Sequence, residues 1–182
     1  DKGKWENCSG PAPNIALTFY ELSEEDAVAQ IGEQIFTSVQ EAVDSLKEAA
    51  PDADRRIVML KDSREDVVIP EGTVAVLDLN GKTLRGVVSS VIAVKKGAEL
   101  TIQDSSEAKT GTIWDGKGTR DRWGNGTDTR TYGGGLFIEG TVTLESGSIT
   151  KNDAEVGAGV YIGNGGAFYM KGGKITANLR DA

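Results

Sequence analysis

Short apolar runs in strand-like alternation, cut by glycine, dominate the chain, and between Gly133 and Asn178 the pattern is written twice. The first copy runs Gly135-Leu136-Phe137-Ile138, Thr141-Val142-Thr143-Leu144, then Ser146-Gly147-Ser148-Ile149-Thr150-Lys151-Asn152. The second runs Gly159-Val160-Tyr161-Ile162, Ala167-Phe168-Tyr169-Met170, then Gly172-Gly173-Lys174-Ile175-Thr176-Ala177-Asn178. Leu144 to Met170, Ile149 to Ile175 and Asn152 to Asn178 are each 26 positions apart. A fixed period of that size, built from strand-length pieces, marks a solenoid, in which each coil buries its apolar face only against its neighbours.

The period can be followed backwards. Leu79 to Leu84 spans five positions, as do Leu144 to Ile149 and Met170 to Ile175. Ile102 to Ile113 spans eleven, the same step with six residues inserted near Asp104–Lys109. The pattern predicts one interior column of Leu79, Ile102, Leu144 and Met170. Ile102 to Leu144 is 42 positions, so one coil carries an excursion, placed as a long lateral loop at 114–133. Insertions that spare the periodic residues belong outside the stack. Each coil offers about five inward aliphatics, each worth roughly 1.5–3 kcal/mol when buried. Asn152 and Asn178 share a phase, so stacked asparagines can bond each other's amides at a corner and tolerate left-handed backbone.

Upstream, Ile15, Leu17 and Phe19 alternate as a short strand, and Val28–Ile31 and Gln34–Phe36 read as two strands joined at Gly32. One amphipathic helix follows. Ser38 and Glu41 make a capping box, Val39, Ala42, Val43, Leu46 and Ala50 share a face, and Pro51 stops it. Residues 1–54 thus form an N-terminal strand and capping-helix segment, and 55–182 form the coils, as one folded unit. The predicted class is an all-β solenoid, a right-handed parallel β-helix of about five coils with one α-helix sealing its first coil. The last coil, followed by no cap, is expected to present open strand edges. Either a capping segment is missing or a second molecule covers that end by self-association.

Phe36-Thr37-Ser38-Val39-Gln40-Glu41-Ala42-Val43, then Val74-Ala75-Val76-Leu77-Asp78-Leu79-Asn80-Gly81-Lys82-Thr83-Leu84, then the glycine-rich repeats, resemble a group of bacterial proteins. These are secreted or surface-anchored, have the right-handed parallel β-helix or pectin-lyase-like fold, and are frequent in gut Firmicutes. The resemblance implies an extracellular or cell-wall location. It does not imply one activity, because the same coil serves polysaccharide lyases, glycosidases, adhesins and passive stalks. Leucine-rich repeats, the competing solenoid, need leucines at close offsets where this chain has glycine, threonine and β-branched residues.

Composition narrows the chemistry. The formal net charge is -8, which argues against a nucleic-acid partner, and the apolar runs are too short to span a bilayer. Without a start methionine or leader, the chain reads as a mature fragment or a piece of a longer protein. It has no histidine, hence no ordinary nucleophilic triad, and one cysteine, Cys8, hence no internal disulfide.

The richest stretch is Trp114–Tyr132. Trp114, Arg120, Arg122, Trp123 and Tyr132 are the candidate ligand contacts, because aromatic rings beside arginine suit a glycan or a protein interface. The plain alternative is a loop that packs its aromatics onto the coil wall. No catalytic residue is assigned and no cofactor is called for. Asp115, Asp121 and Asp128 are the candidates for Ca²⁺, although their spacing matches no recognised calcium loop. Gly111–Gly118 is similar to a scaffold segment of polygalacturonase-type hydrolases, whose catalytic elements are absent here. The expected function is therefore a non-catalytic binding or spacer module recognising a host or environmental protein or glycan. The alternative is an acidic-polysaccharide lyase or glycoside hydrolase, with the same Asp residues and Arg120 or Arg122 as its groups.

Overall fold

The structure, a computed structural model, describes residues 25–50, 52–123 and 128–179. The strand expected at Ile15–Tyr20, and Cys8, lie outside them. The described chain opens with an antiparallel hairpin, β1 (Ala29–Ile31) and β2 (Gln34–Phe36), turned at Gly32. Helix α1 (Val39–Ser45) follows and tightens into a 3₁₀ turn at Leu46–Glu48. Ser38 Oγ accepts from the Glu41 amide at 3.0 Å. The return half of the expected box is shifted, since the Glu41 carboxylate accepts from the backbone N–H and hydroxyl of Thr37. Val39, Ala42, Val43 and Leu46 are buried as predicted, but the helix ends early, leaving Ala50 exposed while Ala49 packs on the core.

The remaining strands come in successive sets. The first set is β3 (Arg56–Met59), β4 (Ser63–Arg64) and β5 (Val67–Ile69). The second is β6 (Val74–Asp78), β7 (Thr83–Arg85) and β8 (Ile92–Val94). The third is β9 (Glu99–Gln103) and β10 (Thr112–Trp114), then a hairpin of β11 (Thr119–Trp123) and β12 (Asp128–Tyr132), then β13 (Leu136–Ile138). The fourth is β14 (Thr141–Leu144), β15 (Ser148–Thr150) and β16 (Val160–Ile162), and the last is β17 (Ala167–Met170) and β18 (Lys174–Thr176).

Each set gives one strand to each of three sheets, apart from the last, which gives two strands to two sheets. The sheets have the orders β17-β14-β9-β6-β3-β1-β2, β18-β15-β10-β7-β4 and β16-β13-β8-β5. Pairing between sets is parallel throughout, so the described protein is all-β in class, with parallel sheets and one short helix. Parallel neighbours need a crossover, which here is the path through the other two sheets.

Register corrects one predicted column. Ile102 pairs with Leu77, not Leu79, and the column runs Leu77, Ile102, Leu144, Met170. Leu79 lies past the end of β6 yet is fully buried, because it turns the corner. A Cβ added at Gly111 would meet the Leu79 Cβ at 2.6 Å, and one at Gly147 its Cδ1 at 2.9 Å. Glycine at those positions makes room for a leucine that the five-residue step misassigns. A second column, Leu84, Ile113, Ile149, Ile175, follows the prediction. At the last set, Met170 and Ile175 are half-exposed, while their partners Leu144 and Ile149 have no accessible surface.

The helix is tied to the first set by polar bonds as well as by its apolar face. The Glu65 carboxylate accepts from the Val39 and Gln40 amides, both at 2.9 Å, satisfying N–H groups that no helical carbonyl reaches. The Gln40 side chain exchanges two hydrogen bonds with the backbone of Val68, as a neighbouring strand would.

Candidate functional site

The site residues expected from sequence fall in three places. Trp114 belongs to β10, not to a loop, and faces outward from the five-stranded sheet between Arg85 of β7 and Thr150 of β15. The stretch expected as a loop is largely the β11–β12 hairpin, where Arg120 pairs with Thr131 and Arg122 with Thr129, both arginines exposed on one face. Tyr132 is only 3% exposed and packs against Tyr161 with ring centroids 4.7 Å apart. Phe137 stacks on Tyr161 at 5.5 Å. Tyr132 thus seals the hairpin base onto the four-stranded sheet, the plain alternative foreseen for these aromatics. Trp123 and Asp128 pair at the far end of the hairpin, and residues 124–127 beyond them lie outside the described residues.

What gathers around Trp114 comes instead from neighbouring strands. The Arg85 guanidinium stands 4.8 Å from the indole centroid, a cation–π contact, and the Lys151 ammonium stands 5.9 Å from it. Arg85 Nε and a terminal nitrogen both donate to Asp115 Oδ2, at 2.9 and 2.7 Å, and Lys117 pairs with Asp115 Oδ1 at 3.0 Å. Lys117 and Arg85 hold the Asp115 carboxyl below the usual carboxylate range. The repeat itself announced this cluster, because Arg85 and Trp114 each follow the interior aliphatic of their strand, Leu84 and Ile113.

The corner after β10 is fixed by glycine and an asparagine ladder. Asp115, Lys151 and Ala177 have φ of +60°, +53° and +51°. At Lys151 and Ala177 the left-handed position therefore precedes the asparagine rather than being it, a correction to the sequence reading, and at Asp115 it precedes Gly116. Asn152 is buried. Its Oδ1 accepts from the Gly116 amide at 2.9 Å, and its Nδ2 donates to the Ile113 carbonyl at 3.2 Å and to Asn178 Oδ1 at 2.9 Å. Asn178 repeats the motif by donating to the Ile149 carbonyl. This ladder bonds both ends of the Trp114–Asp115 pair, at Ile113 and Gly116, so the outward side chains rise from a backbone hydrogen-bonded on both flanks.

Trp114 walls three shallow hollows on this face. One of about 310 Å³ is lined by Asp62, Ser63, Arg64, Thr83, Arg85 and Trp114. One of about 240 Å³ lies among Thr83, Thr112, Trp114, Thr150 and Lys151. A third, also about 240 Å³, includes Asp115, Lys117, Asn152 and Asp153.

Of the Ca²⁺ candidates, Asp115 is engaged by two cations and Asp121 is exposed on the hairpin. Among the described residues no group of three carboxylate, histidine or cysteine side chains is placed to hold a metal ion. No protein-family model, curated protein or solved structure matches the chain.

Proposed function

We propose that this chain is a non-catalytic binding module of a bacterial secreted or surface protein, wound as a right-handed parallel β-helix of about five coils. Its recognition face is the five-stranded sheet around Trp114. The winding is supported by three sheets built in step from successive sets of strands, and the hand by the strong preference of parallel crossovers. One observation carries the binding role. An indole braced by Arg85 and Lys151 stands outward on a strand paired on both sides and walls three adjoining hollows. Tryptophan and arginine are the residue types that dominate binding energy at protein surfaces.

The state of Asp115 argues against one catalytic role on this face, that of a general base. Asp115 is held ionised by its cations, and a carboxylate kept below its ordinary range is a poor proton acceptor. The test is a panel of purified extracellular proteins and glycans probed with the wild-type chain and with Trp114→Ala. A ligand held by wild type and lost at least about tenfold in the variant, with unchanged circular dichroism, is the expected result. A blank panel for the wild type, or equal capture by the variant, overturns the reading.

A further inference from the structure

The hollow beside Trp114 is lined by two arginines, Arg64 and Arg85, and one carboxylate, Asp62. Arg64 and Arg85 are direct partners in the parallel pair β4–β7, so two cations stand about 4.8 Å apart at the backbone. Like charges in direct register are unfavourable unless an anion joins them. The chain's own carboxylates nearby are committed. Glu65 faces the N-terminus of α1. Asp66 accepts from the amides of Val87, Val88 and Ser89. Asp62 accepts from the Thr83 amide at 2.7 Å through Oδ1 and shares the hollow with the arginines, and Asp115 accepts two bonds from Arg85. Arg64 is exposed, with no carboxylate partner among the described residues. Lys151, across Trp114, is exposed as well, and its ammonium leans on the indole.

Spacing then selects the occupant. From midway between β4 and β7, past β10, to β15 is two and a half strand spacings, about 12 Å, and Lys151 directly follows β15. An extended peptide rises about 3.3–3.4 Å per residue and turns alternate residues to one face, so i and i+4, about 13–14 Å apart, are its same-face pair nearest to that span. The hollows lined by Arg64 and by Lys151 share Thr83 and Trp114, which makes one continuous track. Stacking a sugar on the indole requires an open ring face, and cations from the strands on both sides already engage this ring.

We propose that the face from Arg64 to Lys151 docks an extended acidic segment of a partner protein. One carboxylate sits between Arg64 and Arg85, and a second, four residues on, sits at Lys151. This rests on the binding-module reading and gives it a ligand class.

The probe is an immobilised peptide with Glu at i and i+4 in a Ser/Gly background, beside its Gln counterpart, read by biolayer interferometry. Polygalacturonate and heparin form parallel arms. Wild type should favour the Glu peptide by about tenfold or more, and the preference should fade as salt screens exposed charges. Arg64→Glu and Lys151→Glu should each weaken the Glu-peptide signal about tenfold, with unchanged thermal melting. Absence of wild-type binding to the Glu peptide, or retention of binding in both variants, overturns the proposal. Glycan binding that Trp114→Ala abolishes, without peptide binding, overturns the acidic-segment assignment while sparing the binding module. Silence in every arm, together with a blank ligand panel, removes both.

Discussion

Replacing Asn152 by aspartate changes one NH₂ group to an oxygen, and the ladder makes that change severe. Nδ2 of Asn152 donates to two buried acceptors, the Ile113 carbonyl and Asn178 Oδ1. In Asn152→Asp an ionised oxygen would face both, while the bond from Gly116 to the other oxygen survives. Each buried acceptor left without a donor costs about 1–3 kcal/mol, and the buried charge adds to this, so about 3–5 kcal/mol is expected at neutral pH. With a urea slope of about 2 kcal/mol/M for a chain of this size, the unfolding midpoint should drop by about 2 M. Burial against two acceptors raises the new carboxyl's folded-state pKa above its unfolded value. The deficit is therefore full above the folded value and shrinks as pH falls towards the unfolded value, where the protonated group donates once more. Asn178→Asp forfeits only the donation to the Ile149 carbonyl and keeps both bonds it accepts from Asn152, so its loss should be nearer 1–2 kcal/mol, an estimate that is about one bond's worth. Urea titrations of the three proteins between about pH 3 and pH 7 test the set. A midpoint shift under about 0.5 M for Asn152→Asp, or a deficit that widens in acid, would refute the ladder as a buried hydrogen-bonding device.

Two further perturbations bear on the frame. For Asp78, burial pushes the carboxyl up, but hydrogen bonds from Arg56, Ser105 and Gln103 outweigh it; for Asp104, burial likewise yields to bonds from Ser106, Gly111 and Gly81, so both sit below the ordinary 3.8. Their stabilisation is complete above that value and is lost as pH falls below it, because the unfolded chain takes up the protons first. The urea midpoint should hold steady down to about pH 5 and decline below about pH 4, and Asp78→Asn with Asp104→Asn should flatten that acid limb; an unchanged limb would remove both groups from the account. Gly116→Ala places a Cβ 1.9 Å from the Gly134 carbonyl oxygen and should cost about 3 kcal/mol or more in thermal unfolding, whereas Gly165→Ala, with only its φ of +83° against it, should cost about 1 kcal/mol. Equal melting of the two variants would contradict the close approach of neighbouring strand sets at Gly116.

The period of 26 was legible because it repeats the interior aliphatics, whose burial admits little variation, and the Ile149–Ile175 and Leu144–Met170 pairs follow it directly. It failed at Leu79, where the corner is two residues longer and a leucine outside the strand fills space left by glycines of later sets. The helix was legible from Ser38 and Glu41, but its tie to Glu65 and Val68 was not, since those partners are more than twenty positions away. The Trp114–Tyr132 stretch was grouped by sequence proximity. Alternation within the hairpin instead sends Arg120 and Arg122 to one face, and packing buries Tyr132. Arg85 and Lys151, the actual neighbours of Trp114, were 29 and 37 positions distant and became adjacent only through the repeat.

That displacement also changes what the acidic composition means. A net charge of -8 describes the whole chain, yet carboxylates here differ in what they leave exposed to a partner. Asp104, Glu65 and Asp66 turn their oxygens towards backbone amides at corners and at the helix start, and Asp78 divides its own between such amides and the Arg56 and Gln103 side chains. Those oxygens stabilise N–H groups that no strand reaches, and their charge is largely answered where it sits. The outward row of the five-stranded sheet has no such duty, and there arginine and lysine stand beside one indole. The parallel register is what brings them together, since a side chain projecting outward at one set has its neighbour one strand spacing away in the next. A slip of one residue in β7 would turn Arg85 inward and Leu84 outward, which the core forbids. The same aliphatic columns that hold the sheets together thereby fix the composition of the cationic face.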